Sequence, residues 1–155
     1  DKVKQAQISV VTNAPINLMI EGRHHGHPKP RGITRVKDLL EAGVTVSSGQ
    51  DDVQNKCYPY ARMDTLEVAM ITAHAAHLGA PDEIQAAFDM PRYQAARLWG
   101  LDGYGIEVGA QANLVVLDAR SAVEALRRQP DRRYVIRKGQ VLSQTETQTT
   151  WHQPA

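Results

Sequence analysis

Two short β-rich runs, AQISVVTN at positions 6–13 and VTVSSG at 44–49, constrain this chain most, because a single amphipathic helix pattern stands between them. That pattern, TRVKDLLEAG from position 34, puts Val36, Leu39 and Leu40 on one face and Lys37, Asp38 and Glu41 on the other, with Gly43 as a C-terminal stop. Strand, loop, helix, strand is the order of a βαβ unit, whose two strands lie parallel in one sheet. The first run ends at Asn13-Ala14-Pro15, where the missing proline donor predicts a break and a loop. The second ends at Gln50-Asp51-Asp52.

The stretch EGRHHGHPKPRG, 21–32, is rich in Gly, Pro and basic groups and reads as a long loop of the kind that often carries function. From 63 to 78, Leu66, Met70, Ala73 and His77 recur at helical spacing, predicting a helix of about four turns. Two more helices are expected after Pro81-Asp82 and after Met90-Pro91, the second with Leu98 and Trp99 in the core. From Gly103 the texture turns β-like: GYGIEVGAQANLVVLDA reads as two strands, and RYVIRKGQVLS as a hairpin turning at Lys138-Gly139. A short helix, 121–128, lies between them.

With 155 residues, 42% hydrophobic and 23% charged, the chain has apolar matter enough for a core and is not of the disordered class. Its net charge of +1 offers no global footprint for nucleic acid or an anionic membrane, so neither is expected as a partner. No apolar run approaches the roughly 18 residues of a membrane helix. The lone cysteine, Cys57, and the absence of a signal-like start lead to the expectation of a soluble, cytoplasmic protein. A start at Asp1 rather than Met fits a piece of something longer.

The segment NLMIEGRHHGHPKPRGITRVKDLLEAGVTVSSGQDDV, 17–53, resembles the late part of the bacterial cytosine deaminase family of the amidohydrolase superfamily. The resemblance continues through Tyr58-Pro59, YGIEVGAQANLVVLDA, ALRRQP and the VIRKG hairpin, and so covers nearly the whole chain. It implies an α/β fold: the last strands and helices of a TIM-like (β/α)8 barrel, joined to the C-terminal part of a small β-sandwich. Residues 1–102 would be barrel, 103–143 the sandwich return, and 144–155 a polar tail. The 8–12 and 44–48 runs would be barrel strands seven and eight, the remaining barrel strands lying outside this sequence.

The same resemblance implies the chemistry. Asp51 matches the family's metal-binding carboxylate, which also relays a proton from the water that attacks the ring, and Asp52 matches a residue beside the substrate. A divalent cation, iron or zinc, lowers the pKa of bound water toward about 7, and a neighbouring carboxylate can take the released proton. The full-length parent would turn cytosine and water into uracil and ammonia, as a homo-oligomer. The family's other ligands, all His, and its acid Glu match nothing here, so this chain alone is expected to be inactive. Taken without the resemblance, Asp51-Asp52 is equally a strand-end turn or helix cap.

Two departures bear on the substrate: Gln50 stands where many relatives carry His, and Cys57 where the loop often reads Trp-Tyr-Pro. Cys57 and, at the barrel mouth, Asn13 are therefore candidates for lining the substrate pocket. A different ring substrate, triazine- or creatinine-like, and a non-catalytic interaction module are the rival readings. His24, His25 and His27 fall in a loop where they need not converge, and His74 and His77 share a helix face without a third ligand. Arg127-Arg128 and Arg132-Arg133 read as solvated surface.

Overall fold

The computed structural model describes residues 2–152; of the polar tail, 153–155, like Asp1, lie outside the described residues. Strand β1 (Val10–Thr12) pairs in parallel with β2 (Val46–Ser48), Val10 opposite Val46 and Thr12 opposite Ser48. The helix between them, α3 (Val36–Glu41), buries Val36 and sets Leu39 and Leu40 against the core, as its sequence pattern requires. A short helix α1 (Lys2–Gln5) precedes β1, and Lys4 Nζ donates to the carbonyl of Gly43 at 2.5 Å.

The Asn-Ala-Pro sequence does not open a loop. It starts helix α2 (Ala14–Ile20), with Asn13 at the N-cap and Pro15 in the first turn, where the missing N–H is no loss. Helix α4 (Thr65–Ala75) is shorter than the sequence pattern, because His77 takes a left-handed φ of 55° beyond its end and is exposed rather than on the buried face. The two helices expected after Pro81 and Pro91 are nearly one: α5 (Pro81–Asp89) runs into a π-helical turn, Met90–Gln94, and then α6 (Ala95–Leu98). Trp99, expected in the core, is 76% exposed, because α6 ends before it and the chain turns away at Gly100 with φ 63°.

Segment 103–108 forms turns, not the expected strand. Gly103, Gly105 and Gly109 all take positive φ, which a regular strand does not accommodate. Strand β3 (Leu114–Leu117) pairs antiparallel with β4 (Arg132–Arg137), which pairs with β5 (Gln140–Gln144). The hairpin turns at Lys138-Gly139 as expected, both at positive φ, as a tight two-residue turn demands. Between β3 and β4, α7 (Ala122–Arg128) is capped by Ser121, whose hydroxyl accepts from the Glu124 N–H.

One core joins these pieces. Val46 of β2, Ala69 of α4, Ala87 of α5, Met90 of the π turn and Ala125 and Leu126 of α7 are all buried together. Helix α7 thus reaches from the C-terminal segment into the core beneath the parallel strands. An ion pair adds a second tie: Arg132 of β4 meets Asp64, which also caps α4 by accepting from the Leu66 N–H at 2.9 Å. The result is a mixed α/β chain with its parallel strands packed on helices, where the C-terminal end of β1 passes directly into α2 and that of β2 opens to a loop. No helix among the described residues is long and apolar enough to cross a membrane.

Candidate functional site

Parallel pairing brings the ends of β1 and β2 side by side. The ladder runs one residue past β2, where the Gly49 N–H donates to the Thr12 carbonyl at 2.9 Å. Immediately beyond, Asp51 takes a φ of 67°. A non-glycine residue in that region costs about 1 kcal/mol, and Asp is among the few that tolerate it. Across the strand ends Asn13 Nδ2 donates to Asp51 Oδ2 at 3.3 Å, over a sequence separation of 38. Asp51 is exposed, Asp52 and Asn13 half-buried.

Two loops frame this end. In the loop after β2, Asn55 Oδ1 accepts from the backbone N–H of Cys57 (2.8 Å) and of Tyr58 (3.0 Å), and Gln54 Nε2 donates to the Ala61 carbonyl at 3.1 Å. These bonds seat Tyr58, which is buried and packs with Ile16 and Ala61, while Cys57 is half-buried beside them. The loop after α2 is tied in by Arg23, which donates to the Cys57 carbonyl at 3.3 Å, and is organised internally by Lys29 Nζ on the carbonyls of Arg23 (2.8 Å) and His25 (2.9 Å). Burial raises the Tyr58 hydroxyl above its ordinary pKa, with the charge of Glu67 adding to the rise and the Gln50 side chain opposing it.

The site predicted from sequence is therefore brought together in part. Asn13 and Asp51 touch; Asp52 follows in the chain; Cys57 belongs to the adjoining loop. His24, His25 and His27 are exposed on the first loop, and His74 and His77 lie on or beyond α4. Among the described residues no group of three or more His, Cys, Asp or Glu could hold a metal ion. Asp51 does fit one coordination position: it is an exposed carboxylate with one oxygen engaged by Asn13 and no described bond to the other. Gly49 opens the Gly-Gln-Asp-Asp-Val run that carries the resemblance, but nothing in that run places it against Asn13. Arg23 is one arginine in a basic loop, and no signal in the sequence marks it.

A family model described as "Amidohydrolase family" matches residues 4–143. A pterin deaminase of Rhizobium rhizogenes is 33% identical over 147 residues, covering 94% of this chain and 33% of that protein. The structure of 5-methylcytosine deaminase from Klebsiella pneumoniae liganded with 5-fluorocytosine superposes with a TM-score of 0.89 at 33% identity, covering 97% of this chain and 37% of that one. N-isopropylammelide isopropylaminohydrolase from Burkholderia multivorans superposes with a TM-score of 0.78 at 31% identity, covering 92% and 33%. The chain spans about a third of the length of the relatives it matches.

Proposed function

This chain belongs to the amidohydrolase family, and from that premise we propose that it is the late part of a metal-dependent deaminase of the cytosine type, supplying two parallel strands of a (β/α)8 barrel and part of a β-sandwich. The observation that carries the reading is Asp51, exposed at the C-terminal end of β2 in a left-handed turn, beside the end of a parallel neighbour. Barrel enzymes keep their catalytic groups at that end, where loops vary without disturbing the packed interior. The likeness to 5-methylcytosine deaminase structures holding cytosine analogues supports the ring-amine substrate class.

A divalent cation, iron or zinc, supplies acidity to a water when bound at such a site. Asp51 would hold one coordination position and receive the proton as the water oxygen adds to the ring carbon. An acid outside this chain would protonate the ring nitrogen as the C=N bond opens, the proton held by Asp51 would pass to the amino group so that it could leave as ammonia, and the remaining hydroxyl proton would return to that acid. Asp52 and Cys57 would flank the ring, Cys57 fixed by the Asn55 turn and Arg23. Residues 1–102 and 103–143 would be barrel and sandwich return, with 144–155 as a tail. The assembled enzyme would be a cytoplasmic homo-oligomer, and the isolated chain inactive for want of the other ligands.

A second reading, another ring amide or amine, is favoured by the pterin deaminase and N-isopropylammelide relatives and by Cys57 in the pocket loop. The two separate on one panel: amine or ammonia release by the assembled enzyme from cytosine, 5-methylcytosine, a pterin and N-isopropylammelide. Highest kcat/KM on cytosine or 5-methylcytosine is expected. Highest kcat/KM on either other ring would replace the cytosine reading by the second, and no turnover of any ring would remove both.

A further inference from the structure

We propose that Asn13, seated on Gly49, is a positioning residue that fixes the orientation of the Asp51 carboxylate. Three observations converge. First, Asn13 occupies the N-cap of α2, where an Asn side chain ordinarily accepts a hydrogen bond from the second or third helical N–H, yet it makes no cap bond. The second helical residue is Pro15, which has no N–H to offer. The Asn13 amide is turned instead across the strand ends, to Asp51 Oδ2 at 3.3 Å.

Second, the space at Gly49 is shaped for this amide. A Cβ placed on Gly49 would stand 2.7 Å from Asn13 Oδ1 and 3.2 Å from Val11 Cγ1. Gly49 has no positive φ, so its backbone does not call for glycine; a Cβ there would have to push the Asn13 amide aside. Third, Asp51 reaches Asn13 through its left-handed turn, with φ 67°. Strand end, glycine seat and turn together hold one carboxylate oxygen and leave the other without a described partner.

Such a contact matters to a metal ligand because an outer hydrogen bond fixes which lone pair is presented, and its loss typically lowers metal affinity or activity by about 10–100-fold. This consequence rests on Asp51 being a ligand; the contact itself does not. Asn13 is thereby reassigned from lining the substrate pocket to holding the residue beside it. A pocket-lining role would raise KM. A positioning role lowers metal affinity and kcat while KM for the ring changes little.

The test is a cycle in the assembled enzyme: Asn13→Ala, Gly49→Ala and the double variant, with Asp51→Asn alongside. The metal-free proteins are first compared by the side-chain amide resonances of Asn13, which are expected to shift on Gly49→Ala and on Asp51→Asn. Unmoved resonances would overturn the proposal whatever the enzyme does. Metal affinity, by competition with a chelator, is expected to fall about 10–100-fold in Asn13→Ala and in Gly49→Ala. The double variant should be no worse than either, since the glycine matters only while the amide sits on it. Fold-losses that multiply, or singles that keep affinity and kcat within about twofold, would overturn the positioning role. Should Asp51→Asn itself keep full metal affinity, the ligand reading falls separately, and the resonance shifts alone decide the contact.

Discussion

The two sheets of this protein are treated oppositely by the rest of the chain. Strand β2 is buried along its whole length, with Val46 fully enclosed, under α3, α4 and the π turn. Strand β5 is exposed along its whole length, and Val115, Val141 and Leu142 of the antiparallel sheet are each more than half exposed. The parallel pair is the shorter sheet, yet nearly all the helical packing serves it. Burial is concentrated beneath the end that carries Asp51. A carboxylate can be held in a strained turn only on a base that does not yield, and the helices supply that base.

The sharpest way to break this contrast is to cut the core under β2. Met90 is fully buried, and its carbonyl accepts from the Ser47 hydroxyl at 2.9 Å. Met90→Ala should cost about 2–5 kcal/mol in a urea titration, by transfer loss and residual cavity together. A smaller change severs the tie between the two regions. Asp64→Ala removes both the α4 cap and the partner of Arg132, and should cost about 2 kcal/mol, about 1 of it from the cap. Arg132→Ala keeps the cap, so a double-mutant cycle on the pair should return a coupling of about 1 kcal/mol.

Acid probes the same helical layer more gently. The Glu83 carboxylate accepts from the backbone N–H of Ala80 and Gly79 at the start of α5 and pairs with Lys37 of α3 at 2.7 Å. The Ala80 N–H first, then Lys37 and Gly79, hold its pKa down at about 2, against 4.5 ordinarily. Because the folded value is the lower one, its contribution is complete above about 4.5 and is lost as pH falls toward about 2. Glu83→Gln should flatten that part of the stability profile, measured as the urea midpoint against pH. The smallest effect is expected on the bare sheet: Leu142→Lys on β5 should change stability by less than about 0.5 kcal/mol. A large loss there would show that the sheet is covered.

Local chemistry made much of this legible in the sequence. The α3 pattern, the helical spacing of Leu66 and Met70, and the Lys138-Gly139 turn all depend on neighbours in the chain, and all appear as expected. Where local signals compete, the local pattern misleads. Asn-Ala-Pro looked like a breaker, but proline in a first turn starts a helix. Segment 103–108 alternates like a strand, but its glycines take positive φ. Trp99 follows a helical period that ends one residue too soon. At the site, Asp51 is legible through the family resemblance of its run, since a strand-end Asp pair alone is equally a turn, whereas the seating of Asn13 on Gly49 joins two strand ends and leaves no trace in local pattern.

On the proposed function, Asp51 would hold a divalent metal and accept a proton in a ring deaminase. The direct measurement is divalent metal content, with cytosine deamination on the same preparation, of the assembled enzyme bearing Asp51 or Asp51→Asn. The variant, folded to the same thermal midpoint within a few degrees, is expected to lose turnover by at least about a thousandfold and no longer to retain metal through dialysis. A variant that keeps its metal and releases ammonia at the parent rate would contradict it.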